Sequence, residues 1–147
     1  LDHLEGKTVD VLADGVVMPQ EVVTSGQIVL PRAAYSVEIG LHYESEIEPL
    51  TPSIAGLAAA GQGNAMSVSE VIVRLHETKG AEVAGQVIPF RQFGEGVLDS
   101  EVAAFTGDKR VSKLGWERGG IDCLIAQRQP LPMNVLAIIY TITANQG

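Results

Sequence analysis

The chain is poor in cysteine, aromatic residues and basic charge. Cys123 is its only cysteine. One thiol excludes an intrachain disulfide and any cysteine-rich zinc site. It lies in the run Ile121-Asp122-Cys123-Leu124-Ile125, a setting that suits a small buried hydrophobe. Aromatics make up 5% of the 147 residues, so a core must be built from Val, Ile, Leu and Ala. β-Branched residues pack well on a pleated surface and tilt the expectation toward sheet. No apolar run reaches bilayer length. The longest, Val135 to Tyr140, is far too short to span as a helix, and no signal-peptide pattern opens the chain. Membrane insertion is therefore not expected. Ten Lys and Arg stand against eighteen Asp and Glu, a formal net charge of −8. That balance opposes association with nucleic acid or anionic lipid, and no sequence-specific nucleic-acid binding is expected.

What the chain has is apolar material: 46% hydrophobic against 19% charged residues. This is the reverse of a disordered composition and enough for one sizeable core. The first third reads as short strands and tight turns. Thr8 to Ala13 runs into Asp14-Gly15, a strong hairpin signal, and Val16 to Met18 follows until Pro19 interrupts. Glu21 to Thr24 leads into the turn pair Ser25-Gly26, and Gln27 to Leu30 reads as the next strand, stopped by Pro31. Ser36 to Tyr43 follows, with Val37, Ile39, Leu41 and Tyr43 on one face.

Pro49 and Pro52 then break the pattern. Ala-rich Ile54 to Ala60 suits a short helix and Gly61 to Asn64 a loop, so 49–64 reads as a long connection. Its Gly and Ala content predicts the most mobile stretch of the chain. Val68 to Glu77 alternates strictly, with Val71, Val73 and Leu75 on one face, and Thr78-Lys79-Gly80 turns the chain. Gln86 to Phe90 reads as an edge strand because of Pro89. Gly94 to Ala104 is ambiguous. Phe105 to Asp108 reads as a turn into a strand over Lys109 to Lys113. Gly115-Trp116 and Arg118-Gly119-Gly120 bracket a loop. Ile121 to Gln127 and Val135 to Thr143 are the last strands, joined by the stiff Gln129-Pro130-Leu131-Pro132. The expectation is an all-β fold, an antiparallel β-sandwich or β-barrel, with a partly helical or irregular connection at 49–64. It is a single β domain over 1–147, with sub-blocks 1–48 and 67–147.

Motifs for chemistry are sparse. The histidines are His3, His42 and His76, and none has a second His or Cys at ligand spacing. His42 and His76 meet only if their strands are neighbours. Glu44, Glu46 and Glu48 alternate, so a strand places all three on one face. A hard-cation site is one reading. The other, preferred because the ordered calcium loop is absent, is a solvated acidic edge that discourages strand pairing. Ser25 and Ser112 have no His nearby in sequence, and no Gly-x-Ser-x-Gly elbow exists. Gly61-x-Gly63 and Gly94-x-Gly96 lack phosphate-loop spacing. Lys109, Arg110 and Lys113 form the densest basic cluster, read as a solvated strand rather than a phosphate contact. Trp116 is a core lid or an interface anchor. No catalytic, cofactor-binding or metal-binding residue is assigned.

The opening residues Leu1 to Gly15 resemble a segment of tail proteins from short-tailed double-stranded DNA bacteriophages and related prophages. Ser36 to Tyr43 resembles a second block of that family, Val68 to Glu77 a third. Gly107 to Ser112, Gly115-Trp116 and Gln129 to Ala137 resemble the closing blocks, in the same order along the chain. Family members carry basic residues before the third strand, where this chain has Ala65-Met66, so a basic loop is not carried over. The opening block is also similar to a small β-barrel module named after ubiquitin-activating enzymes, which implies no ubiquitin chemistry. The resemblance implies the C-terminal region of a tail hub or nozzle protein: a non-enzymatic virion component, a ring around the DNA-exit channel, with its own copies and other tail proteins as partners. A chain that begins at Leu1 fits a fragment of a longer or processed protein. An acidic wall, with Glu44, Glu46 and Glu48 as candidates, would let DNA pass without being held. The competing readings are a β-sandwich module that binds a host-surface or partner protein, and a virion-borne hydrolase.

Overall fold

A computed structural model describes residues 1–50, 65–91, 100–112, 116–118 and 123–144. The described residues form three antiparallel sheets that pack together, so the all-β expectation holds. After a 3-10 turn at Asp2–Leu4, β1 (Thr8–Ala13) lies between β2 (Val16–Val22) and β3 (Val37–Leu41). The second sheet has the order β4 (Ser45–Ile47), β10 (Ile125–Gln127), β6 (Glu82–Val83), β7 (Gln86–Val87). The third is built on β5 (Ala65–Thr78), flanked by β11 (Val135–Ala144) on one side and by β8 (Phe105–Ser112) and β9 (Trp116–Arg118) on the other. β8 ends its pairing at Glu70↔Ser112 and β9 begins at Ser67↔Trp116. β8 and β9 thus lie on the same side of β5.

The alternation along β5 reads directly into burial. Val71, Val73 and Leu75 are fully buried, while Arg74 and His76 are exposed. Those three pack with Val68, Ala81, Val83, Ile88, Val111, Cys123 and Ile125 between the second and third sheets. A separate cluster of Val9, Val11 and Val23, covered by Leu4, Met18, Ile28, Leu30 and Ile39, sits under the first sheet. β4 follows β3 by only three residues yet pairs with β10, so the chain changes sheets at 42–44.

Several sequence readings need correction. Pro19 does not interrupt the strand: β2 is an edge, and its pairing with β1 shifts register between Val9 and Val11, leaving Pro19 and Gln20 opposite Asp10. An edge bulge is where a residue without an N–H is tolerated. Gln27–Leu30 is not a strand. Only the bridge Thr24↔Gln27 forms, closing the Ser25-Gly26 turn, and Ile28 and Leu30 instead cover the smaller core. Phe105 to Asp108 is not a turn but the start of β8. Gly107 stays in the ladder opposite Leu75 with φ +148°, and the Phe105 ring lies 3.1 Å from where a Cβ would stand. Trp116–Arg118 is strand β9 rather than loop. β7 is shorter than the expected Gln86–Phe90, and β3 shorter than Ser36–Tyr43. The turn Ala84-Gly85, both residues at positive φ, joins β6 to β7 just as Asp14-Gly15 joins β1 to β2. It escapes notice in sequence because alanine rarely adopts that conformation. The expected helix at 54–60 and loop at 61–64 lie outside the described residues, as do Gly94, Gly96 and Lys113.

Candidate functional site

The most organised polar feature is a strap across the point where the chain changes sheets. On β1, Val9, Val11 and Ala13 face the small core, which turns Asp10 to the opposite face. Its neighbour on β3 is Gly40, which has no side chain, and on β2 it faces the bulge. Those two gaps admit Gln20 and His42. Gln20 Nε2 donates to Asp10 Oδ1 at 2.7 Å, and His42 Nδ1 lies 2.9 Å from Asp10 Oδ2. Asp10 is buried yet fully partnered, as a buried carboxylate must be. His42 Nε2 lies 3.7 Å from Glu44 Oε1. The hydrogen bond to Asp10 raises the His42 pKa above its ordinary value; burial opposes this, and the charges of Asp10 and Glu44 add to it.

Glu44 also meets Arg128. Ala126 is paired with Glu46 on one side and Glu82 on the other, so both carboxylates flank a small residue on one face. Arg128 lies two residues on, on that same face, and reaches back over it. Its guanidinium lies 3.1 Å from Glu46 and 3.5 Å from Glu82. The hydrogen bond to Glu44 leads the causes that raise the Arg128 pKa further. The strap thus runs Gln20, Asp10, His42, Glu44, Arg128, then Glu46 and Glu82. It ties the first sheet to the second. Two of the three alternating glutamates are consumed in it, so that run is not a bare acidic edge.

Two adjoining cavities, about 230 and 260 Å³, meet at the connector after β10, and the second extends to the β1–β2 turn at Gly15 to Val17. They share Arg91, Val102, Gln129 and Leu131. Gln127, buried at the base of the first, donates to Gly80 O and Leu131 O, fixing the connector. The charged groups at this groove are engaged: Lys79 with Glu101, Arg128 with the strap, Arg91 with Ser100 O.

The other residues singled out in the sequence are dispersed. His76 is on β5 in the third sheet, where Thr106 Oγ1 lies 3.5 Å from its Nδ1, whereas His42 lies just past the end of β3 in the first, so the two histidines do not share neighbouring strands. Ser25 is a turn residue whose N–H donates to Glu5. The Gly26 N–H donates to the other Glu5 oxygen at 2.8 Å, and these two bonds, Gly26 first, lower the Glu5 pKa. Lys109 is drawn inward over the Phe105 and Phe90 rings, 4.4 and 5.5 Å from their centroids, and Arg110 lies 3.5 Å from Glu70. Cys123 is fully buried beside Tyr140, whose phenol is pushed above its usual range by burial first and by Cys123 second. Among the described residues no group of three or more His, Cys, Asp or Glu is placed to hold a metal ion. No helix among them is long and apolar enough to cross a membrane. Sequence reasoning missed Asp10, Gln20 and Arg128. The signal available was a charged residue in the middle of an apolar strand, Val9-Asp10-Val11.

A different feature remains uncovered. β3 is one of the two edges of the first sheet, and its core-side row is partly exposed: Val37 at 38% and Leu41 at 56%, with Tyr43 beyond at 73%. Comparison with known proteins adds no relative: no protein-family model matches the chain, and no curated protein matches it.

Proposed function

We propose that this chain is a structural domain of the tail hub or nozzle of a short-tailed bacteriophage, assembled in the virion with its own copies and other tail proteins, and that its work is packing rather than catalysis. The observation that carries the assembly part is the exposed apolar row on the unpaired edge of β3. A surface of this kind on an edge strand is a pairing site unless it is blunted by charge or covered. The order of the sequence blocks that resemble tail proteins supports the virion part. The strap supports a structural role as well. His42 is held between two carboxylates, with no hydroxyl or thiol bonded to it among the described residues, so its geometry suits joining sheets rather than activating a nucleophile. The charge of −8 suits a wall that DNA passes without being held.

Antibodies raised against the chain, applied to particles whose genome encodes it, test this reading by electron microscopy. Label at the tail is expected. Label absent from intact and opened particles alike refutes it.

A further inference from the structure

We infer that two copies of this chain join edge to edge through β3, antiparallel about Ile39, to make one continuous six-stranded sheet. The inference rests on the reading of the chain as an assembling domain but not on its place in a tail. The backbone sets the geometry. Ser36 O accepts from Asp14 N at 2.8 Å, so Ser36 turns its carbonyl toward β1. Lys7 O, which accepts from Val23 N at 3.0 Å, shows that odd-numbered residues of β1 turn toward β2 and leave the even ones for β3. Alternation along the ladder then points the N–H and C=O of Val37, Ile39 and Leu41 to the open side. A two-fold axis at Ile39 sets outward-pointing residues against outward-pointing ones: Val37 against Leu41 of the other copy, and Ile39 against itself. Each such pair exchanges backbone hydrogen bonds.

The side chains are complementary in the same register. On one face Val37, Ile39 and Leu41 form an apolar ladder that covers the exposed row. Tyr35 and Tyr43, both exposed, lie just beyond opposite ends of β3, so the two-fold brings them to the same places. On the other face Glu38 meets Gly40 of the second copy rather than another carboxylate. Neighbouring registers are worse. A centre at Glu38 sets that carboxylate against itself, and a centre at Gly40 draws His42 and Tyr43 into the ladder, although the strand ends at Leu41 and His42 is tied to Asp10.

Light scattering and sedimentation of the full chain across a concentration range test this. A dimer is expected. Val37→Lys and Leu41→Glu are each expected to raise its dissociation constant by about tenfold, because each change occurs twice across the axis. The double variant is expected to recover most of that loss, since the new lysine and glutamate face each other only in this register. Amide exchange of the unaltered protein gives a readout independent of whether the variants fold: protection of Val37, Ile39 and Leu41 should rise with protein concentration. A monomer at every concentration, a larger assembly indifferent to both single changes, or a double variant weaker than either single one overturns the proposal. The second of these leaves the assembly reading standing; the first removes assembly from the isolated chain as well.

Discussion

Gly107→Ala is the substitution whose cost the structure defines most closely. Gly107 sits inside β8 at φ +148°, a conformation that L side chains rarely adopt, and Phe105 Cζ lies 3.1 Å from the position of the missing Cβ. The backbone strain costs about 1–3 kcal/mol. The added methyl also pushes the Phe105 ring away. That ring makes an edge-to-face contact with Phe90, centroids 6.1 Å apart, and lies under Lys109 Nζ at 4.4 Å. Losing the aromatic contact costs about 0.5–1.5 kcal/mol and the cation contact about 0.5–1 kcal/mol. Together these give roughly 2–5 kcal/mol, which for a chain of this length lowers the thermal midpoint by roughly 5–15 °C. Urea unfolding at unchanged slope measures it. A double-mutant cycle isolates the ring. In a Phe105→Leu background Gly107→Ala should cost only its backbone part, leaving a coupling of about 1–2 kcal/mol. Equal costs in both backgrounds would show that the ring does not rest on the glycine, and the close approach would then explain nothing.

Two further outcomes are expected. Because Asp10 and Glu44 raise the His42 pKa above 6.5, the part of the strap's contribution to stability that depends on charged His42 is complete below that pH and fades as pH rises through the higher folded-state value. NMR titration should place His42 above 6.5, and Asp10→Asn should remove most of the fall in thermal midpoint between weakly acid and weakly alkaline pH; a His42 value at or below 6.5 contradicts the geometry. Thr78 is fully buried, and its hydroxyl accepts from Asn134 N at 3.0 Å and donates toward His76 O and Asn134 O. Thr78→Val strands the Asn134 N–H and should cost about 1–3 kcal/mol in urea unfolding, whereas Thr78→Ser, which keeps the hydroxyl, should cost less.

The sequence determined what depends on neighbours along the chain. Strict alternation marked β5, the Asp14-Gly15 pair marked the first hairpin, and the scarcity of aromatics and charge foretold an aliphatic all-β interior; a period of two and a turn that needs positive φ are local properties. Tertiary structure decided the rest. Pro19 and Gly107 both read as interruptions, yet one is absorbed by an edge bulge and the other by a ring that fills the place of its side chain. Glu44 and Glu46 read as free acid because nothing nearby in sequence opposes them; Arg128, more than eighty residues away, reaches them only because β4 and β10 pair. Asp10 is tolerable in an apolar strand only because Gly40 and a bulge leave room for His42 and Gln20. In each case the deciding partner is distant in sequence, and pairing across strands, unlike periodicity along one, is set by how the whole chain buries its apolar faces.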